Sequence, residues 1–206
     1  MLSLGTPDVP VFPRSSNKPM QAVGMLEAGL DLDGELLALV SASHSGEPFH
    51  LDGVRRILAS VGLAASALQT PAELPVDEAT RAAYLASGGV AEPLAMNCSG
   101  KHAGMLATCV VNGWPIETYR EPTHPLQQAL RATVERLSGE SVSATGVDGC
   151  GAPVLALSLA GLARAFAALA VASPGTAEHR LAQAVRRHPQ WLGGTGRRSK
   201  CRKVLR

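Results

Sequence analysis

The chain has 206 residues, of which 46% are hydrophobic, 17% charged and 3% aromatic, so it can bury one sizeable core. Its formal net charge of +2 and its few aromatic side chains argue against a nucleic-acid-binding surface, which needs a basic field and stacking rings. The first residues carry no signal-peptide pattern, and no apolar run approaches the roughly twenty residues of a membrane span, so the sequence predicts a cytoplasmic protein.

The start of the chain predicts a helix that is reached through an extended segment. Three prolines between residues 6 and 13 favour an extended conformation there rather than a regular strand. A helix is expected from Ser15 to Glu27, with Ser15 or Ser16 as its N-cap and Pro19 in its first turn.

The remaining elements follow from apolar periodicity, capping residues and glycine stops. A buried segment over 35–41 ends in a polar loop, and a strand is predicted over 142–147. A glycine-rich turn then leads into an apolar helix over 154–171. Further helices are predicted over 51–62, 75–87, 99–111, 123–137 and 177–188. Alanine and leucine fill the apolar positions, which indicates a helix-rich protein.

The four cysteines are too few for a disulfide framework in a chain of this length, and a reducing cytoplasm would keep them as thiols. Cys109 falls on the apolar face of its predicted helix and is expected in the core. Cys201 lies in a basic tail and is given no role. Cys98 and Cys150 each lie in a glycine-containing turn and remain free for packing, metal binding or chemistry.

Ser15 and Lys18 form a Ser-x-x-Lys pattern that places both side chains on one helix face, about one turn apart. A serine hydroxyl becomes a good nucleophile when a base removes its proton, and a lysine can do so if burial or a nearby cation lowers its pKa. A helix cap beside a solvated lysine gives the same pattern, so two interpretations stay open. Ser43 could relay a proton to a leaving amine or simply belong to a polar turn.

The sequence NCSGKH at residues 97–102 brings potential metal ligands and basic groups together at one predicted helix start. Cys98 and Cys150 could converge as two thiolates, with Lys101 or His102 completing a nitrogen-and-sulfur zinc site, for which histidine is the usual choice. There is no Cys-x-x-Cys pair, and isolated cysteines are more often buried apolar residues. The residues alone therefore leave the metal site open.

Five segments, in this order and spacing, resemble the zinc-containing, rhizobial-type L-asparaginases: FPRSSNKPMQA, SASHSGEPFH, NCSGKHAGML, VDGCGAPVLAL and HPQWLGGTGR. The resemblance extends over nearly the whole chain, from about residue 4 to residue 197. It implies an α/β fold similar to serine β-lactamases and glutaminases, in which a sheet packs against a helical region and the Ser-x-x-Lys helix lies between them. Most of that sheet would lie outside this chain.

The resemblance also implies a reaction and its groups. Ser15 takes the position of the nucleophile, Lys18 that of its base and Ser43 that of a second catalytic serine. The attacked atom would be the side-chain amide carbon of L-asparagine. Ammonia would leave, and water would then release aspartate from the acyl-enzyme.

A zinc site follows from the same resemblance. Cys98, Lys101 and Cys150 take the positions of the zinc ligands, with water in the remaining position. The family pattern thus favours Lys101 as the nitrogen ligand, whereas the residues alone had favoured His102. The metal is expected to order the substrate pocket rather than activate the attacking water.

Two departures from the family pattern predict a chain that is truncated at both ends. The chain begins where the family would already have completed its first strands, and its last ten residues, RRSKCRKVLR, resemble translation in a wrong reading frame. We therefore expect one incomplete domain over 1–196 and a separate basic tail over 197–206. Lys200 and Lys203 do not match a further family lysine that pairs with the second serine, so Ser43 is expected to lack that partner.

Three hypotheses about function remain at this point. The first is an L-asparaginase-like amidohydrolase that acts on the small molecule L-asparagine and has little activity because it is truncated. The second is a catalytically dead, zinc-binding pseudoenzyme or dimerising fragment, which leaves a homodimer open. The third is a fragment that cannot close its core, since missing strands leave helix faces and sheet edges uncovered.

Overall fold

The computed structural model describes residues 5–197, so the predictions for Cys201 and for the rest of the tail beyond residue 197 lie outside the described part. The described strands are β1 (Pro10–Val11), β2 (Ala144–Val147) and β3 (Pro153–Ser158). The described α-helices are α1 (Lys18–Glu27), α2 (Gly34–Val40), α3 (Pro48–Ala59), α4 (Glu78–Ala86), α5 (Ser99–Asn112), α6 (Pro125–Ser138), α7 (Leu159–Ala170), α8 (Ala177–Arg187) and α9 (Gln190–Gly193). Short 3-10 turns cover Arg14–Asn17, Ala65–Ala67, Pro93–Ala95 and Thr195–Arg197.

The three strands form one small, open, antiparallel sheet in the order β1, β3, β2. Val11 pairs with Leu157 on one side of β3, and Thr145 pairs with Leu155 on the other. Every residue of β3 is buried, whereas β1 and most of β2 are exposed. The predicted α/β class is therefore confirmed as a mainly helical protein with a small sheet.

The sequence prediction was wrong at the start of its apolar helix over 154–171. Residues 153–158 form the central strand of the sheet, and the helix α7 begins only at Leu159. A short apolar run fits a strand buried on both faces as well as it fits a buried helix, and here the pairing with two neighbouring strands decides. The change from strand to helix occurs at Ser158, whose side chain accepts a hydrogen bond from the Gly161 N–H and so caps α7.

The predicted N-cap of the first helix was also wrong. Residues 14–17 form a 3-10 turn, and Asn17 rather than Ser15 or Ser16 precedes the first residue of α1. Pro19 lies in the first turn of α1, as predicted, where its missing N–H costs no helical hydrogen bond. The two serines therefore stand in front of the helix instead of inside its first turn.

The other long elements follow the sequence closely. The five helices predicted from amphipathic spacing correspond to α3, α4, α5, α6 and α8, with ends shifted by a few residues. The predicted stop of α6 is confirmed, because Gly139 follows it in the left-handed conformation with φ of 68°. The predicted strand over 142–147 is found as β2.

Helix α1 runs through the middle of the core. Eight of its ten residues are buried, and it packs against α5, α6 and α8. Its contact with α6 is close at Gly24, where an added Cβ would lie 3.0 Å from the Cδ2 atom of Leu130. The first turn of α1 is thereby held in the centre of the protein, which is where Lys18 lies.

Helix α5 approaches α2 through two glycines on one face. A Cβ added at Gly100 would lie 2.6 Å from the carbonyl oxygen of Leu39, and one at Gly104 would lie 2.7 Å from a methyl carbon of Val40. Because these two glycines have no side chain, the start of α5 can pack closely against the end of α2. This close packing brings Cys98, just before α5, next to the loop that follows α2.

Within residues 5–197, none of the helices combines the length and the apolar character that crossing a bilayer requires.

Replacing Gly100 by alanine should lower the free energy of unfolding measured by urea denaturation. The added methyl group meets backbone, and overpacking of this kind costs about 1–3 kcal/mol. Alanine's higher helix propensity returns at most about 1 kcal/mol. Gly196→Ala is the control, because a Cβ there meets open space. A Gly100→Ala protein more stable than the wild type would show that the two helices do not depend on this approach.

Candidate active site

Ser15 and Lys18 differ in their exposure to solvent. Ser15 lies in the 3-10 turn before α1 and is exposed, whereas Lys18 is the first residue of α1 and is only 1% exposed. Arg14, directly before Ser15, has a positive φ of 49°, which is uncommon for a residue with a side chain. The turn therefore exposes Ser15 to solvent, while Lys18, three residues later, is buried.

The Lys18 ammonium group reaches three acceptors from three segments. Its Nζ atom lies 2.6 Å from the carbonyl oxygen of Ala42, 2.7 Å from Ser43 Oγ and 3.0 Å from Cys98 Sγ. Burial lowers the pKa of Lys18, and the nearby Lys101 cation lowers it further, against the opposing effect of Cys98. Lys18 is thus a buried amine whose neutral form is easier to reach than that of a surface lysine.

Ser43 connects Lys18 to Ser15. The Ser43 hydroxyl accepts from Lys18 Nζ and donates to Ser15 Oγ over 2.9 Å. The sequence predicted that the lysine and the first serine could interact directly, whereas in the structure the hydrogen bonds run from the lysine to the second serine and from there to the first serine. Ser43 thus has the lysine of the Ser-x-x-Lys pattern as its neighbour.

The loop that carries Ser43 is fixed by its next residues. The His44 N–H donates to the carbonyl oxygen of Asn97, and His44 Nε2 lies 3.0 Å from Ser99 Oγ. Ser45 donates to Glu47, whose carboxylate also accepts from the Thr195 backbone and hydroxyl groups. These bonds tie the loop to the start of α5 and to the end of the described chain.

Cys98, Lys101 and Cys150 lie together in the interior, with exposures of 4%, 2% and 1%. Lys101 Nζ is 3.2 Å from Cys150 Sγ, and the two cysteines share a hydrogen bond. That bond lowers the pKa of Cys150 and raises the pKa of Cys98. Burial raises the pKa of Cys98 further. Lys101 therefore donates to the sulfur whose pKa is lowered, while the Cys98 sulfur lies 3.1 Å from the Asn97 side-chain oxygen.

His102, the alternative nitrogen ligand, also lies near Cys150, but one of its ring nitrogens already has a hydrogen-bond partner. Its Nδ1 atom is 2.7 Å from the hydroxyl group of Tyr119, and its ring is fully buried. Burial lowers the pKa of His102 to about 4. Among the described residues, no group of three or more His, Cys, Asp or Glu side chains is placed to hold a metal, so a metal at this cluster would need Lys101.

Two charged residues beside Ser15 were missed by the sequence analysis. Arg14 Nε lies 3.1 Å from Asp148 Oδ1, and the arginine side chain is 71% exposed. Both residues line an open cleft of about 400 Å³ between β1 and the turn after β2. Their positions in the sequence could have marked them as site residues, because Arg14 directly precedes the candidate serine and Asp148 precedes Cys150 by two residues.

Comparison with known proteins gives one family. The model of the family described as L-asparaginase II matches residues 1–203. No curated protein matches the chain significantly. The matched range includes the candidate serines, lysines and cysteines.

Stability should fall as the pH drops below about 6.5, because His44 and His50 are buried as neutral rings. Burial lowers the pKa of both groups in the folded protein, and their stacked rings, 5.1 Å apart, disfavour charge further at His44. Only the unfolded chain then gains these protons below pH 6.5, which costs up to about 1.4 kcal/mol per histidine and pH unit. Urea denaturation between pH 7.5 and 5.5 measures the slope.

The variant His50→Gln keeps a donor for the Gln190 carbonyl oxygen, which His50 contacts at 3.1 Å, but removes one titrating ring. We expect a shallower slope for it than for the wild type. An equal slope in the wild type and in His50→Gln would contradict the assignment.

Proposed function

Because the chain belongs to the L-asparaginase II family, we propose that it hydrolyses the side-chain amide of L-asparagine to L-aspartate and ammonia, with Ser15 as the nucleophile. The observation that carries the proposal is the hydrogen-bonded chain from Lys18 through Ser43 to Ser15. It joins an exposed hydroxyl to a buried amine, which is the arrangement that serine activation by lysine requires.

The proton would travel along this chain. Hydroxyl hydrogens rotate freely, so Ser15 can donate to Ser43 while Ser43 donates to the neutral amine of Lys18. Ser15 Oγ then attacks the amide carbon, and its proton comes to rest on Lys18. The resulting ammonium group returns a proton through Ser43 to the leaving nitrogen, so that ammonia departs and an ester to Ser15 remains. Water, deprotonated by the same chain, releases aspartate and restores the serine.

The cleft beside Ser15 offers matching charges for a zwitterionic substrate. Arg14 is a cation and Asp148 an anion, and both line the cleft. Arg14 is also the residue directly before Ser15 in the chain. We propose that the α-carboxylate of asparagine binds near Arg14 and its α-ammonium group near Asp148, replacing part of their mutual ion pair. The Arg14 side chain of this pair is 71% exposed, and an ion pair with so much access to water is worth little by itself, so the replacement costs little.

We also propose that Cys98, Lys101 and Cys150 hold a zinc ion. Two sulfurs and an amine fit the nitrogen-and-sulfur preference of zinc. The 3.2 Å from Lys101 Nζ to Cys150 Sγ is close to the roughly 3.6 Å that separates such donors at a tetrahedral zinc. When bound, zinc would supply a positive charge that keeps both sulfurs as thiolates and the lysine as a free amine. Cys98 also contacts Lys18, so the same side chain helps to position the catalytic amine.

Two further features of the proposal concern fold and location. The turn that carries Ser15 contacts both the central strand β3 and helix α1, which supports the serine β-lactamase and glutaminase type of arrangement. The three described cysteines are free thiols, and a reducing cytoplasm would preserve the metal-binding form of Cys98 and Cys150.

Serine substitutions test the reaction. Ser15→Ala should reduce ammonia release from L-asparagine by at least a factor on the order of 10³, because the nucleophile is gone. Ser43→Ala should reduce it by roughly 10²- to 10⁴-fold by interrupting the proton path. Ser16→Ala is the control, since this exposed neighbour is outside the chain of hydrogen bonds. Activity of Ser15→Ala equal to that of Ser16→Ala would eliminate Ser15 as the nucleophile.

A wild-type protein that binds zinc and releases no ammonia would instead support the catalytically inactive, zinc-binding alternative. Parallel assays with L-glutamine at the same concentrations establish the substrate preference.

Cysteine substitutions test the metal site. Mass spectrometry of metals in the purified protein should find about one zinc per chain in the wild type and little in Cys98→Ser or Cys150→Ser. Cys109→Ala is the matched control, because Cys109 is equally buried but its pKa is raised by burial, whereas lysines and a second cysteine act on Cys98 and Cys150. The zinc proposal fails if all four proteins contain the same amount of zinc after dialysis against a weak chelator.

A further inference from the structure

We propose that Glu47 is a positioning residue that holds Ser43 in place by fastening the loop of residues 42–47 to the chain at Thr195. This loop lies between α2 and α3 and carries the serine that links the buried amine to the exposed hydroxyl group. The inference rests on the proposed function, because it assigns Glu47 to the same reaction. Glu47 acts on that reaction only through the position of the loop.

The Glu47 carboxylate accepts three hydrogen bonds from two segments of the chain. The Ser45 hydroxyl group donates to Oε1 over 2.8 Å, and the Thr195 N–H donates to the same oxygen over 2.8 Å. The Thr195 hydroxyl group donates to Oε2, also over 2.8 Å. Glu47 occupies the N-cap position of α3, yet its side chain makes no capping hydrogen bond to the described start of that helix. Bonds to a carboxylate are about twice as strong as bonds between neutral groups, so this side chain joins the two segments firmly.

The chain at Gly194 lies too close to the loop to carry a side chain. Gly194 is buried and has a positive φ of 102°, a conformation that favours glycine. A Cβ added there would collide with Ser45 Oγ and with Glu47 Oε1. The backbone therefore rests directly on the two side chains that hold the loop, and the hydrogen bonds of Thr195 follow at the next residue.

The preceding residues of this segment are anchored on helix α3. The Trp191 ring packs edge-on against Phe49, with the ring centroids 4.9 Å apart. A Cβ added at Gly53 would lie 2.6 Å from Cζ3 of Trp191, so the indole lies against bare backbone. His50 Nε2 contacts the Gln190 carbonyl oxygen at 3.1 Å. Because the segment is anchored in this way, it can restrain the loop that it meets.

Ser43 is thus restrained from two directions. His44, the next residue, donates its N–H to the carbonyl oxygen of Asn97, just before α5, over 3.1 Å. Ser45, the residue after that, is held by Glu47. The Ser43 hydroxyl group has to stay within hydrogen-bond reach of both its partners, and a displacement of about 1 Å in a reacting group can cost roughly a hundredfold in rate. Glu47 supplies the second of the two restraints that prevent such a displacement.

The first test compares the steady-state kinetics of ammonia release from L-asparagine. Glu47→Ala should lower kcat about 10- to 100-fold and change KM by about threefold at most, because the proton path is disturbed while the groups proposed to bind asparagine stay. Glu47→Gln should keep most of the rate. Its amide oxygen can accept from Ser45 and from the Thr195 N–H, while its amide nitrogen donates to the Thr195 hydroxyl group. Glu35→Ala is the control, since it removes a carboxylate that pairs with Arg56 on the surface.

Gly194→Ala provides a second variant, which leaves the carboxylate in place and displaces the segment instead. It should reproduce the loss of kcat seen in Glu47→Ala. A kcat equal to that of the wild type in Glu47→Ala or in Gly194→Ala would contradict the inference. A Glu47→Gln protein as slow as Glu47→Ala would contradict it too.

The second test needs no activity, because amide hydrogen exchange followed by NMR reports the position of the loop through the His44 N–H. In Glu47→Ala this amide should exchange at least about 10-fold faster than in the wild type, and by a larger factor than the amides of α6. Glu47→Gln should exchange at nearly the wild-type rate. An equal factor at His44 and in α6 would show a general loss of stability and overturn the inference. A wild type that releases no ammonia would refute the proposed function, and exchange at His44 would still decide whether Glu47 positions the loop.

Discussion

The burial of the Lys18 ammonium group is the constraint on which the candidate site depends. A buried amine is costly unless its N–H groups find acceptors, and Lys18 finds a carbonyl oxygen, a hydroxyl group and a sulfur. Ala42 and Ser43 belong to the loop after α2, while Cys98 precedes α5. Placing one side chain in the core therefore requires two distant segments to meet at the start of α1. The same contacts join the serine pair to the cysteine cluster.

Packing makes this meeting possible. Helix α5 can bring Cys98 to Lys18 because Gly100 and Gly104 leave room for α2, and Lys101 on the same turn then points to Cys150. Two lysines and two cysteines thus share a small volume that water does not reach. The hydrogen bond between the two cysteines lowers the pKa of Cys150 and raises the pKa of Cys98, and the Lys101 cation lowers the pKa of Cys150 further.

The sequence predicted the parts of the structure that depend on local chemistry. Helix α6 has apolar spacing and a glycine stop, and both were confirmed. The strand β3 was missed because its buried run of six residues has no apolar period, and its identity depends on partners more than 130 residues away at β1. Which residues cluster could be inferred from the family resemblance. The order of the hydrogen bonds could not, since Ser43 stands between Lys18 and Ser15 only through the path of its loop. A similar limit applies to Tyr119, which has no motif and reaches His102 only because the segment after α5 folds back onto it.

The central claim, that Ser15 is the nucleophile, is tested most directly by mass spectrometry of protein quenched in acid during turnover of L-asparagine. The account predicts an added aspartyl group on the peptide containing Ser15, and none on that peptide in Ser15→Ala. An aspartyl group on another residue, or ammonia release by a Ser15→Ala protein at the wild-type rate, would contradict it.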